Sequence, residues 1–300
     1  MTAASRLILG TAQLGMPYGV MNTTGRPDPA LALEIVRTAL AWGIRTFDTA
    51  PGYGGAEETL GQALARSAGG EAARVVTKLP PGLDYRDAGA VRGAVQASAG
   101  RLGRTGFDLL LHEEGALDCW SEGLGDTLAQ LAASGLVGRL GVSVYAPARA
   151  LQALGLAGIS LVQLPSNLLD ARFERAGVFE AARRAGKELH VRSVFLQGLL
   201  CCDDPALLPP RLDQARTYVR TAAGVAREAG LGLRELALGY ALDAYAGAGL
   251  LLGAELPAQI AANAAFAAAP RVRPAPASLR ARLPGAPQSV TNPSLWPADR

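Results

Sequence analysis

The chain is almost without lysine. Of its 29 lysine and arginine residues only Lys78 and Lys187 are lysines. Arginine stays charged in any protein setting, so these two are the only strong cations whose protonation a fold can tune. Histidine is as scarce, with His112 and His190 alone. The three cysteines, Cys119, Cys201 and Cys202, lack metal-site spacing, and adjacent cysteines rarely bridge. Reduced thiols, no bound metal and a cytoplasmic location are therefore expected. No apolar signal core follows Met1, and no apolar run reaches the ~20 residues of a membrane span. The net charge is only +3, with arginines scattered among carboxylates rather than gathered in a stripe. That composition excludes nucleic acid as the expected partner. Glycine fingerprints are missing too. Gly10-Thr-Ala-Gln-Leu-Gly15 has the wrong spacing for a dinucleotide loop, and Gly247-Ala-Gly249-Leu-Leu-Leu-Gly253 runs into a strand. Neither GxxxxGK[ST] nor GxSxG occurs.

What is present is a 49% hydrophobic chain with 18% charge, enough to bury a large core. Short β-rich runs alternate with Ala-rich stretches of helical character. Candidate strands are 6–9, 44–48, 74–78, 107–112, 139–143, 161–163, 189–194 and 249–253. Candidate helices are 29–42, 57–67, 86–102, 124–134, 147–154, 172–185, about 210–245, and 257–268, several with Gly just beyond the end. Eight strand–helix steps predict a (β/α)8 TIM barrel, an α/β fold forming one domain over residues 1–300. From about residue 270 to 300 the chain is rich in Pro, Ala and Arg, and an irregular tail reaching toward the barrel mouth is expected.

Asp48, Lys78 and His112 fall at the ends of the second, third and fourth strands, and Tyr53 on the loop after the second. In a barrel those ends converge on one mouth. A phenol, with an ordinary pKa of ~10, is a poor acid near neutrality. An ammonium beside it favours the phenolate, and a carboxylate keeps that ammonium charged and in place. Asp48, Lys78 and Tyr53 suit such a relay, with His112 orienting a carbonyl. Singly, each residue has a plain structural explanation: a strand-end cover, a buried histidine, a turn cap, a core ring. Four such residues at three successive strand ends favour chemistry.

These segments resemble the aldo-keto reductases. Gly43-Ile-Arg-Thr-Phe-Asp48-Thr-Ala-Pro-Gly-Tyr53-Gly-Gly-Ala-Glu57-Glu-Thr-Leu60-Gly61 is similar to that family's first signature. Val76-Thr-Lys78, Leu109-Leu-Leu-His112, Gly141-Val-Ser143 and Val162-Gln163-Leu-Pro-Ser-Asn167 match later motifs. Gly10-Thr-Ala-Gln-Leu-Gly-Met-Pro-Tyr-Gly19 is most similar to bacterial members found with sugar and polysaccharide enzymes. The resemblance implies NADP(H) bound extended, without a Rossmann fingerprint, and Tyr53 as acid–base with Asp48, Lys78 and His112 in support. It implies Ser143 and Gln163 at the carboxamide. It implies Arg192 at the nicotinamide from strand seven, with Ser193 beside it as a cofactor contact, Gly198 and its neighbours along the pyrophosphate after that strand, and Gly253, Gln259 and Asn263 at the adenosine.

Three departures stand out. Val144 replaces the usual Asn, and Arg192 the usual stacking Tyr. The adenosine segment lacks the basic residues many members use for a 2′-phosphate, Arg271 and Arg273 lying beyond it, while Glu255 suits a ribose hydroxyl. NADP is expected on family grounds, with NAD open. The expected activity is hydride transfer between the nicotinamide and an aldehyde, ketone or sugar lactol carbon. Met16, Tyr18, Trp120 and the tail are expected to frame substrate access, with Glu113 or Glu114 at substrate hydroxyls. A redox sensor that binds cofactor with little turnover, and a redox-neutral enzyme with trapped cofactor, are the alternatives. Oligomeric state is left open.

Overall fold

The computed structural model describes residues 4–269, 273–283 and 285–297. Eight parallel strands close into one barrel in sequence order: β1 Leu7–Gly10, β2 Thr46–Asp48, β3 Arg74–Lys78, β4 Phe107–Leu111, β5 Val137–Ser143, β6 Ile159–Pro165, β7 Glu188–Arg192 and β8 Gly249–Gly253. β1 pairs with both β2 and β8, which seals the sheet. The outer ring holds α1 Pro29–Ala41, α2 Ala56–Ala65, α3 Ala88–Leu102, α4 Leu124–Ala133, α5 Pro147–Gly155, α6 Val178–Ala185, α7 Asp213–Glu228, α8 Leu233–Ala244 and α9 Pro257–Ala268. The (β/α)8 expectation holds, strand by strand.

Two expected helices are divided. Gly177, at φ 72°, separates a single turn at Arg172–Arg175 from α6. The stretch 210–245 breaks at Gly230, at φ 68°, into α7 and α8. Left-handed backbone at both points ends a helix cheaply only with glycine.

The two-residue period of the strands sorts their side chains into layers inside the barrel. At the bottom, Arg74 bridges Asp108 and Glu188 at 2.5 and 2.7 Å, and Arg139 pairs with the same two carboxylates. His190 Nε2 joins Glu188 at 2.7 Å. Burial opposes ionisation of Glu188, but the bonds from His190 and Arg74 outweigh it and hold the carboxyl well below its usual range. Above this plug Val76, Leu110 and Leu161 form a small apolar cluster of their own. The next layer up is polar and holds Asp48, Lys78, Ser143 and Gln163, all buried. Residues that alternate with these, such as Phe47, Val75, Leu109 and Val142, face the helices and join the main core.

The interior is narrow enough to demand glycine. A Cβ at Gly141 would stand 2.3 Å from the Leu161 carbonyl oxygen and 2.6 Å from Leu110 Cδ2. Gly141→Val should therefore cost about 1–3 kcal/mol by overpacking, read as a lower urea midpoint with an unchanged slope. An unchanged midpoint would mean that the strands part freely there.

The tail is built of short helical pieces, α10 Pro276–Arg282 followed by single turns at Gln288–Thr291 and Pro293–Leu295. Arg280 ties it down by donating to the Leu168 and Asn167 carbonyls and pairing with Glu174 at 2.6 Å. No described helix is long and apolar enough to cross a membrane.

Candidate active site

At the C-terminal ends of the strands, Lys78 Nζ lies 2.7 Å from Asp48 Oδ1 and donates at 3.0 Å to the Thr49 carbonyl. Lys78 is 3% exposed and Asp48 2%, so this is a buried ion pair. The other Asp48 oxygen accepts from Gln163 Nε2 at 2.7 Å. The Tyr53 ring sits over the ammonium, its centroid 5.0 Å from Nζ. Burial works against the Lys78 charge, but Asp48 and then the Tyr53 hydroxyl more than restore it, and the pKa stands above an ordinary lysine's. The loop after β1 locks the carboxylate strand in turn. Thr11 sends both its backbone N–H and its hydroxyl to the Asp48 carbonyl, each at 2.9 Å.

His112 follows β4 directly. Burial, then the nearby Lys78 charge, lowers its pKa, so the imidazole is neutral at pH 7. Its Nδ1 is buried without a hydrogen-bond partner among the described residues.

The twelve residues expected at catalysis and the cofactor line one cavity of about 370 Å³. It runs from Asp48, Tyr53, Lys78 and His112 past Ser143 and Gln163, along Arg192, Ser193 and Gly198, to Gly253, Gln259 and Asn263. Its floor after β7 is strained. Ser193, Leu196 and Gln197 adopt φ of 61°, 48° and 55°, unusual for residues with side chains. The Val20 N–H donates to the Gln197 carbonyl at 2.8 Å, so the loop after β1 crosses this floor and narrows the cavity. Two cations, Arg192 and Arg234, face the cavity besides Lys78. This donor set fits a nicotinamide dinucleotide: fixed cations for phosphate, neutral amide and hydroxyl groups, and glycine where the backbone must approach closely.

Several expectations are adjusted. Tyr18 lines the cavity, its hydroxyl pushed up to about 12 by burial, whereas Met16 does not. Trp120 packs against Gly125 and Gly158 instead of framing the mouth. Glu114 is taken, accepting from the Tyr145 and Ala146 N–H groups just before α5 at 2.7 and 3.0 Å. Glu113 accepts from Gly82 N. No described tail residue lines the cavity. Arg273 pairs with Asp243 at 2.6 Å, away from the site, and Arg271 lies outside the described residues. Val144 is fully buried and does not line the cavity. Arg192 is not loose: its guanidinium stacks 4.2 Å above the Tyr145 ring and donates to the Val144 carbonyl. Gln259 uses its side-chain oxygen to accept from the Glu255 and Leu256 N–H groups, capping α9. Arg234, on α8, had no motif to announce it, and neither did Tyr145.

The family model "Aldo/keto reductase family" matches residues 6–272. No curated protein matches the sequence. Among solved structures, an aldo-keto reductase from Bacillus halodurans in its holo form superposes with a TM-score of 0.73 at 23% identity, covering 94% of this chain and 93% of that one. A glycerol dehydrogenase from Gluconobacter oxydans gives 0.70 at 22%, covering 98% and 94%. At these identities the structural likeness speaks to the fold.

Proposed function

The chain belongs to the aldo/keto reductase family of NAD(P)-dependent oxidoreductases, and we propose that it transfers hydride to and from the carbonyl carbon of a small polar, sugar-like molecule, with Tyr53 as the acid–base group. The observation that carries this reading is the buried Lys78–Asp48 pair beneath the Tyr53 ring at the cavity wall. A bound nicotinamide supplies the hydride. In reduction Tyr53 donates its hydroxyl proton to the carbonyl oxygen, and the Lys78 ammonium stabilises the phenolate left behind. Asp48 holds Lys78 on one oxygen, and Gln163 holds Asp48 on the other. Burial raises the pKa of Tyr18, another phenol of the cavity, to about 12, which makes it a poor acid.

His112 orients the acceptor. An unpaired buried ring nitrogen costs less as a lone pair than as an N–H, which puts the proton on Nε2, where it donates to the carbonyl oxygen. For the dinucleotide, Gln163, whose amide nitrogen is given to Asp48, offers its side-chain oxygen to a carboxamide N–H, beside Ser143. Arg192 replaces an aromatic face with a planar cation. Ser193 and Gly198 follow the diphosphate, and Gly253, Gln259 and Asn263 the adenosine. NADP is the proposed cofactor. The few aromatics, 5% of the chain, favour a hydroxylated substrate over a flat apolar one.

Incubating the protein with NADPH and a panel of aldoses, hydroxyaldehydes and aromatic aldehydes tests this directly. Loss of reduced-nicotinamide absorbance is expected, fastest with the hydroxylated members. Tight cofactor binding with no consumption on any carbonyl would replace this reading with that of a redox sensor.

A further inference from the structure

The adenosine end of the cavity has one cation among the described residues, and it sits where a helix should not want it. Arg234 is the second residue of α8, in the first turn, where the helix dipole disfavours positive charge. The needs of that helix end are already met by carboxylates: Asp203 accepts from the Leu233 N–H at 2.8 Å and Glu235 from the Gly232 N–H at 3.2 Å. Arg234 instead turns into the cavity and donates to Oδ1 of Asn263, a residue only 4% exposed. No ion pair among the described residues involves it. A half-buried guanidinium held by one neutral amide keeps most of its five N–H donors for something else.

The other polar groups at this end are committed. Gln259 spends its oxygen on capping α9, and Arg273, which does not line the cavity, is paired with Asp243. Glu255 shares the wall but hydrogen bonds Thr24 and lies beside Gly19, on the side of the loop after β1. Asn263 and Arg234 come from two outer helices, so they stand beyond the strand ends, at the far reach of a ligand that starts at Tyr53. Resting on the reading of this cavity as a nicotinamide-dinucleotide site, we propose that Arg234, steered by Asn263, binds the 2′-phosphate of NADPH and sets the preference for it over NADH. A planar fork of donors suits a phosphate dianion, and a cation absent from the segment after β8 is here supplied from α8.

Calorimetric titration of the whole protein with NADPH, NADH, adenosine 2′,5′-bisphosphate and AMP tests this without turnover. The wild type should bind NADPH and the bisphosphate at least about tenfold more tightly than NADH and AMP. Raising salt should narrow that gap. Arg234→Met should weaken NADPH and the bisphosphate by about tenfold or more while leaving NADH and AMP unchanged, and Arg234→Lys should restore part of the loss. Equal binding of both dinucleotides by the wild type, or a preference that survives in Arg234→Met, overturns the assignment while leaving the cavity a dinucleotide site. Binding of neither dinucleotide overturns the underlying reading and this one with it.

Discussion

Tyr53→Phe should lose carbonyl reduction by about 10²–10⁴-fold, the range a positioned general acid contributes, with NADPH affinity unchanged. The substitution is clean because the ring is kept. Its face remains over Lys78 Nζ, and the half-buried side chain gives up only its hydroxyl. Lys78 stays anchored by Asp48 and the Thr49 carbonyl, so the ammonium does not wander into the gap. The defect should appear in kcat with hydroxylated and aromatic aldehydes alike, because the proton goes to the carbonyl oxygen that every acceptor shares. Tyr18 lines the same cavity and is the natural substitute, but with its pKa pushed up to about 12 it gives up a proton less readily than a free phenol. Tyr18→Phe should therefore lose far less than Tyr53→Phe. Near-normal rates in Tyr53→Phe, or the reverse order of the two variants, would assign the acid elsewhere.

The barrel and the meeting of four polar residues at three strand ends were legible because both follow from local rules. Alternating strands and helices dictate the closure, and strand ends at 48, 78 and 112 share a mouth once it closes. The rarity of lysine made Lys78 conspicuous in a way that an arginine would not have been. Groups whose role depends on contacts far along the chain were illegible. Gln163 reaches Asp48 across 115 residues of sequence, and nothing in Val162-Gln163-Leu164 says that its amide will brace a carboxylate. Arg234 lies in Leu233-Arg-Glu-Leu236, which reads as an ordinary amphipathic helix start, with charges on the wet face. Only the packing of α8 beside α9 turns that wet face toward the cavity. Glu114 failed in the opposite sense. Its place beside His112 advertised a substrate ligand, whereas the nearest unmet demand was the pair of N–H groups opening α5.

The second large effect belongs to Lys78→Met, which should strike stability and activity together and then allow them to be separated. Removing one member of a buried pair strands the other, at a typical cost of about 3–5 kcal/mol. Asp48 keeps only the Gln163 amide, in a layer where it is 2% exposed. The urea midpoint should fall markedly. Reduction should fall by at least the amount seen in Tyr53→Phe, because the phenolate formed on proton donation then faces a bare carboxylate in place of an ammonium. A lower midpoint alone would fit a merely structural lysine, so the deciding variant is Asp48→Asn combined with Lys78→Met. Replacing a buried pair by uncharged groups is often close to neutral. The double variant should therefore regain most of the lost stability while its activity stays down by the factor of Lys78→Met. Recovery of both would make the ion pair scaffolding and leave Tyr53 to act alone. Recovery of stability without turnover is the outcome that the ammonium's position under the Tyr53 ring requires.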